Sequence, residues 1–190
     1  MKTTLAILFA LVCPALAFSA DLKGHWELEK SEISYSVTHP LHVIHGKSLS
    51  ARGKGVCYSG HCEFLVAVLV NSFDSGDHNR DTHMWEVARA GLYPLIKVWV
   101  KIGDTGGNTA HQVMADLEIE FNGHKAKYPK VPLDIEWKAD EVHVTGTIPL
   151  TLKDFEIQPP SLLTMPIRNE VPVKLDTVWK RGGSKETKKN

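Results

Sequence analysis

The stretch VMADLEIEFNG, residues 113–123, alternates apolar with polar side chains and ends in an Asn-Gly pair. A strand sends successive side chains to opposite faces, so Val113, Ala115, Leu117, Ile119 and Phe121 share one face while Asp116, Glu118 and Glu120 share the other. Asn122-Gly123 is the dipeptide best suited to the two positive-φ positions of a tight hairpin. The chain is therefore expected to turn there and return. The return run, Val131, Leu133, Ile135 and Trp137, keeps the same period. After Ala139-Asp140-Glu141 a third run carries Val142, Val144, Gly146, Ile148, Leu150 and Leu152 in step.

The pattern extends outward in both directions. Upstream, Ile96, Val98, Val100 and Ile102 share a face before a Gly-rich turn at residues 104–108, and downstream Val171, Val173, Leu175, Thr177 and Trp179 close the series. The opposite faces carry Glu118, Glu120, Asp134, Glu136, Lys138, His143, Thr145, Lys174 and Asp176, as a solvated surface requires. Many long antiparallel strands with one apolar face either stack as two sheets or close on themselves, and closure removes exposed edges. The expected fold is mainly β: an extended antiparallel barrel of about eight strands, a size that side chains fill or that holds one elongated ligand.

The first third of the chain is less regular. Residues 25–28 and 33–38 read as two short strands broken at Lys30-Ser31, with Ile33, Tyr35 and Val37 on one face. Residues 47–58 and 62–71 read as a hairpin whose first arm is rich in small residues (Ser50, Ala51, Gly53, Gly55), which suits a bent or closely approached strand. Its second arm, FLVAVLV with Val66 and Val68, is apolar on both faces. One face is expected to meet the barrel interior and the other a helix. Between the two arms stand Cys57 and Cys62, a pair expected to form a disulfide pinning the turn in an exported protein.

That helix is expected in SFDSGDHNRDTHMWEVARAGLYP, residues 72–94, the longest interruption of the strand pattern. Its first half is crowded with turn formers. From Thr82 onward Met84, Val87, Ala88 and Leu92 fall at three-to-four spacing, predicting a short amphipathic helix between Arg80 and Gly91, capped by Asn79 or Asp81 and stopped by Gly91 and Pro94. Arg80 and Asp81 are expected to pair locally.

The opening MKTTLAILFALVCPALAFSA has one lysine, an apolar run from Leu5 to Cys13 and the small-residue triplet Ala15-Leu16-Ala17. These features predict a cleaved signal peptide at residues 1–17, followed by one domain over residues 18–180 and a flexible basic tail over residues 181–190. The expected location is periplasmic or secreted, with no transmembrane segment. Lys and Arg (22) balance Asp and Glu (22), which offers no general attraction to nucleic acid. A homodimer stays open.

The motifs Ser34-Tyr35-Ser36-Val37-Thr38-His39, Ser72-Phe73-Asp74-Ser75-Gly76, Asn79-Arg80-Asp81, His83-Met84 and Tyr93-Pro94-x-Ile96, with Asp154-Phe155-x-Ile157 and Pro160-Ser161-Leu162-Leu163 further on, resemble the signature of the YceI-like family from roughly Trp26 to Trp179. Two positions depart from it: Glu156 stands where the family usually has glycine, and its Gly-x-Thr-Lys turn appears as Gly123-His124-Lys125. The resemblance implies an exported protein with a lipocalin-like barrel that holds an isoprenoid or other long amphiphilic lipid in an apolar tunnel.

With this reading the tunnel lining is Val66, Val68, Val98, Val100, Leu117, Ile119 and Phe121 on the first strands of the set. Leu133, Ile135, Val142, Val144, Ile148 and Leu150 continue it on the later ones. His39, Arg80 and His83 are the polar groups of its mouth. No cofactor is expected beyond a bound lipid such as an isoprenoid quinone or polyprenyl chain. Two other readings stand beside it: a small hydrolase or isomerase built on Asp74, Asp81 and His83, and a weak zinc or copper site on His39, His42 and His45. The second is disfavoured because that spacing, in an extended segment, does not put all three rings on one face.

Overall fold

Alternation along the chain is realised as one antiparallel sheet that rolls up until its first and last strands meet. The computed structural model describes residues 23–182 apart from 40, 104–110, 139, 160, 163 and 164. Its strands are β1 (Gly24–His39), β2 (His42–Ser48), β3 (Arg52–Tyr58), β4 (His61–Leu69), β5 (Leu95–Ile102), β6 (Gln112–Phe121), β7 (His124–Lys138), β8 (Glu141–Thr151), the short β9 (Ser161–Leu162) and β10 (Met165–Pro166), and β11 (Glu170–Arg181). Hydrogen bonding runs β1-β3-β4-β5-β6-β7-β8-β11 and returns to β1, a closed ring of eight strands with β2 as an extra strand on β1. The segment expected to be a signal peptide, the Gly-rich turn at residues 104–108 and most of the basic tail lie outside the described residues.

The expected break at Lys30-Ser31 is instead a bulge inside one long strand. Leu28 pairs with Trp179 and Lys30 with Val178, so Glu29 is the extra residue and the ladder to β11 continues on both sides of it. The bend lets β1 serve two partners on its other edge: Gly24 to Glu27 pair with β3, and Ile33 to His39 with β2. The arm expected over residues 47–58 is correspondingly split. β2 ends at Ser48, whose hydroxyl sits 2.7 Å from that of Ser72, and β3 begins at Arg52.

Cys57 and Cys62 face each other across β3 and β4, 4.1 Å apart at Cα, and are joined by a disulfide. At the other end of the sheet Asn122 (φ 52°) and Gly123 (φ 80°) make the expected hairpin turn. The outward charges pair across strands, with Lys97 3.0 Å from Glu120, Lys125 2.9 Å from Glu118, and His143 2.7 Å from Asp176.

The helix α1 (His78–Val87) starts earlier than expected. Asp77 is its N-cap, accepting the Arg80 N–H at 3.1 Å, because an aspartate one residue before the first turn reaches its free amides where Asn79 and Asp81, already inside the helix, do not. It ends before Arg89, which turns the chain at φ 48°, rather than at Gly91. Leu92 consequently falls outside the helix and is exposed. Nor does α1 cover the outer face of β4, where Leu65 and Leu69 meet solvent. It lies over one end of the barrel, with Met84 packed near Ala51, Val68, Phe73 and Ile96. Among the described residues no helix is long and apolar enough to cross a membrane.

Candidate functional site: an apolar cavity open beneath the helix

Inward side chains of the ring do not meet across its centre. They enclose a cavity of about 450 Å³. Val98, Val100 and Val144 point inward by register yet are only partly buried, since the surface they leave uncovered faces this void. The sequence-predicted lining residues all lie on its wall: Val66 and Val68 from β4, Val98 and Val100 from β5, Leu117, Ile119 and Phe121 from β6, Leu133 and Ile135 from β7, and Val142, Val144, Ile148 and Leu150 from β8. Further residues share that wall. Ile33, Tyr35 and Val37 of β1, Ile44 of β2, and Val171, Val173 and Leu175 of β11 complete the circumference, and their alternation was visible in the sequence. Met84, Val87 and Ala88 of α1 close part of one end.

The two ends differ. Among the described lining residues only His42, Arg80 and His83 are exposed, which places the opening beside α1 and the β1–β2 turn. At the far end Trp26, Cys57, Cys62, Ile102, Val142 and Trp179 are all buried. The disulfide thus staples the closed end.

Polar groups gather at the open end, and their partners define what they can do. His39 is buried. Its Nδ1 accepts the Leu41 N–H at 3.3 Å, and its Nε2 has no hydrogen-bond partner among the described residues. Arg80 and Asp81 do not form the expected direct pair; they clasp the same residue. Asp81, buried, accepts the Ser75 N–H at 3.1 Å, while Arg80 donates to the Ser75 carbonyl at 3.0 Å. Close by, burial pushes the Tyr35 hydroxyl pKa above its ordinary value, with the Asp81 charge adding to the rise and Arg80 opposing it.

Each group of the hydrolase or isomerase reading has a partner outside the trio. Asp81 is spent on Ser75, Asp74 accepts the Gly76 N–H at 2.7 Å, and His83 stands 3.8 Å from Glu86 on the helix surface. The three histidines likewise divide. His39 and His42 lie ring to ring, tilted by 45° with centres 5.2 Å apart, but His45 faces outward with Nδ1 2.9 Å from the Ser36 hydroxyl. Among the described residues no group of His, Cys, Asp or Glu is arranged to hold a metal ion.

A wall of this kind excludes water and recognises length and width in an apolar chain, leaving only the mouth to read a polar end. Residues 26–179 match the model of the YceI-like domain. No curated protein matches. Solved structures share the fold: a polyisoprenoid binding domain from Saccharophagus degradans implicated in plant cell wall breakdown has a TM-score of 0.68 at 14% identity, over 83% of this chain and 98% of its own. Burkholderia cenocepacia BcnA has a TM-score of 0.67 at 16% identity, over 78% of this chain and 95% of its own. A Campylobacter jejuni YCEI protein reaches 0.51 at 10% identity, over 96% and 94%.

Proposed function

Since this chain belongs to the YceI-like domain family, we propose that it is an exported protein that holds a long-chain isoprenoid or similar amphiphilic lipid in its barrel, as a carrier or sequestering protein. The observation that carries the reading is the void itself: an apolar interior closed at the disulfide end and open beside α1. Burying a methylene contributes about 0.8 kcal/mol, so on the order of ten of them gross about 8 kcal/mol, comparable to micromolar binding before ordering costs. No named polar contact is needed for affinity of that size. The similarity of the fold to a polyisoprenoid binding domain supports the choice of ligand class, and the dispersed engagements of Asp74, Asp81 and His83 support a binder over a catalyst. Export rests on the signal-like opening, with cleavage after Ala17.

Organic extraction of the purified protein followed by mass spectrometry tests this directly, with a stoichiometric hydrophobic molecule as the expected result. Recovering none, from protein made in a cell able to supply isoprenoids, overturns it. N-terminal sequencing of the same preparation reads the cleavage site.

A further inference from the structure

Three glycines facing the lumen carry rings where their side chains would be. A Cβ built on Gly46 would stand 2.5 Å from the Tyr35 ring, one on Gly53 2.7 Å from the Trp179 ring, and one on Gly55 would fall inside the Phe64 ring's contact distance. Two of these are direct cross-strand pairs, Tyr35 with Gly46 and Phe64 with Gly55. None of the three glycines has a positive φ. Space, not backbone conformation, is what demands glycine there.

The rings on β3 are held in place. The Trp179 indole donates to the Thr177 hydroxyl at 3.2 Å, that hydroxyl donates to the Val144 carbonyl at 3.1 Å, and Phe64 meets Trp179 edge-on with ring centres 4.9 Å apart. A methyl group on β3 would lift these rings, and the direction left free to them is the lumen. Both rings line the cavity, so any such shift narrows it.

We propose that Gly53 and Gly55 set the bore of the cavity and thereby select its ligand by girth. With Phe64 and Trp179 bedded against the β3 backbone the lumen admits a methyl-branched chain; with the rings raised it admits a straight alkyl chain only. The proposal rests on the lipid-binding reading and adds the width criterion, which the sheet pattern alone does not contain.

The test loads delipidated full-chain protein with an equal mixture of a prenyl alcohol and a straight-chain alcohol of the same carbon number, then quantifies what is extracted. Gly55→Ala is expected to lower the branched-to-straight ratio about tenfold, the discrimination that one misplaced carbon produces in an apolar pocket. Adding Phe64→Leu to Gly55→Ala should restore it. An unchanged ratio in a folded Gly55→Ala variant overturns the proposal. If Gly55→Ala alone does not fold, the double variant decides: a wild-type-like ratio supports the coupling of ring and glycine, and a ratio as low as that of a narrowed bore overturns it. Should wild-type protein take up neither alcohol, the lipid reading fails separately. A crystal structure of the variant still decides the bore, with Phe64 swung into the lumen as the expected result and an unchanged lumen as the refutation.

Discussion

The Tyr128 hydroxyl donates to the Asp154 carboxylate across 2.7 Å, tying the inward side of β7 to the 3-10 turn at Leu152–Phe155. Burial first, and the adjacent carboxylate second, push the phenol pKa far above its ordinary value near 10. Tyr128→Phe is expected to cost about 1–2 kcal/mol, the worth of a hydrogen bond to a charged group that solvent partly reaches. The pH dependence has a definite sign. The native state keeps the proton where the unfolded chain has lost it, so this contribution is complete below about pH 10 and falls as the pH rises beyond it. Denaturant melts of wild type and variant from neutral to alkaline pH should therefore converge on the alkaline side; parallel curves refute the assignment.

Glu156 holds a left-handed backbone, φ 54° and ψ 29°, at the end of that same turn. This explains why the family pattern has glycine there. A side chain in this region costs about 1 kcal/mol relative to glycine, while the contact it gains, 3.5 Å to His124 from a largely exposed carboxylate, is worth little. Glu156→Gly is expected to stabilise the protein by about 0.5–1 kcal/mol, and Glu156→Ala should not, as read from urea midpoints. The two positions at which the chain departs from the family pattern, Glu156 and the turn at His124, thus lie side by side.

The disulfide closes a loop so short that the chain-entropy relation gives it only about 2 kcal/mol. Cys57→Ala with Cys62→Ala is expected to lower stability by that order and to leave lipid occupancy at saturating ligand unchanged. A loss of occupancy without loss of folding would show that the closed end leaks once the staple is gone.

Calorimetric titration of chelator-treated protein with zinc or copper should give no saturable heat, because His45 is turned away from His39 and His42 and is bonded to Ser36. A saturable site abolished by His42→Ala would contradict this.

A bulky residue at an inward position separates a hollow barrel from a filled one. Val144→Trp is expected to reduce lipid occupancy more than it reduces the melting temperature, since its side chain enters space that is empty rather than packed. Equal losses in both would point to a solid core.

The strands from β5 to β8, and β11, were legible because one buried face imposes a strict period of two on long runs. The first third is legible only in part: the disulfide-pinned turn between β3 and β4 stands as expected, while the strands before it break the pattern for local reasons. A bulge at Glu29 breaks the pattern without breaking the strand, so Lys30-Ser31 reads as an interruption, and on β2 and β3 glycines that seat rings thin the apolar face. Met84, Val87 and Ala88 mark the helix in the sequence, but its start is less defined there, because Asp77, Asn79 and Asp81 are all cap-forming types and only geometry shows which one precedes the first turn. Which side chains point inward is a matter of parity and could be read. Whether they touch depends on the radius of the ring, which parity does not encode.

The ring is clasped by β1 and β11, its first and last strands, whereas its other joints link strands near one another along the chain. That clasp demands contacts spanning almost the whole polypeptide, the kind that form late. A chain that lacks this clasp accordingly has no closed interior. A polypeptide stopped short of Glu170 lacks β11, and with it the plank that joins β8 to β1 and makes the vessel hold.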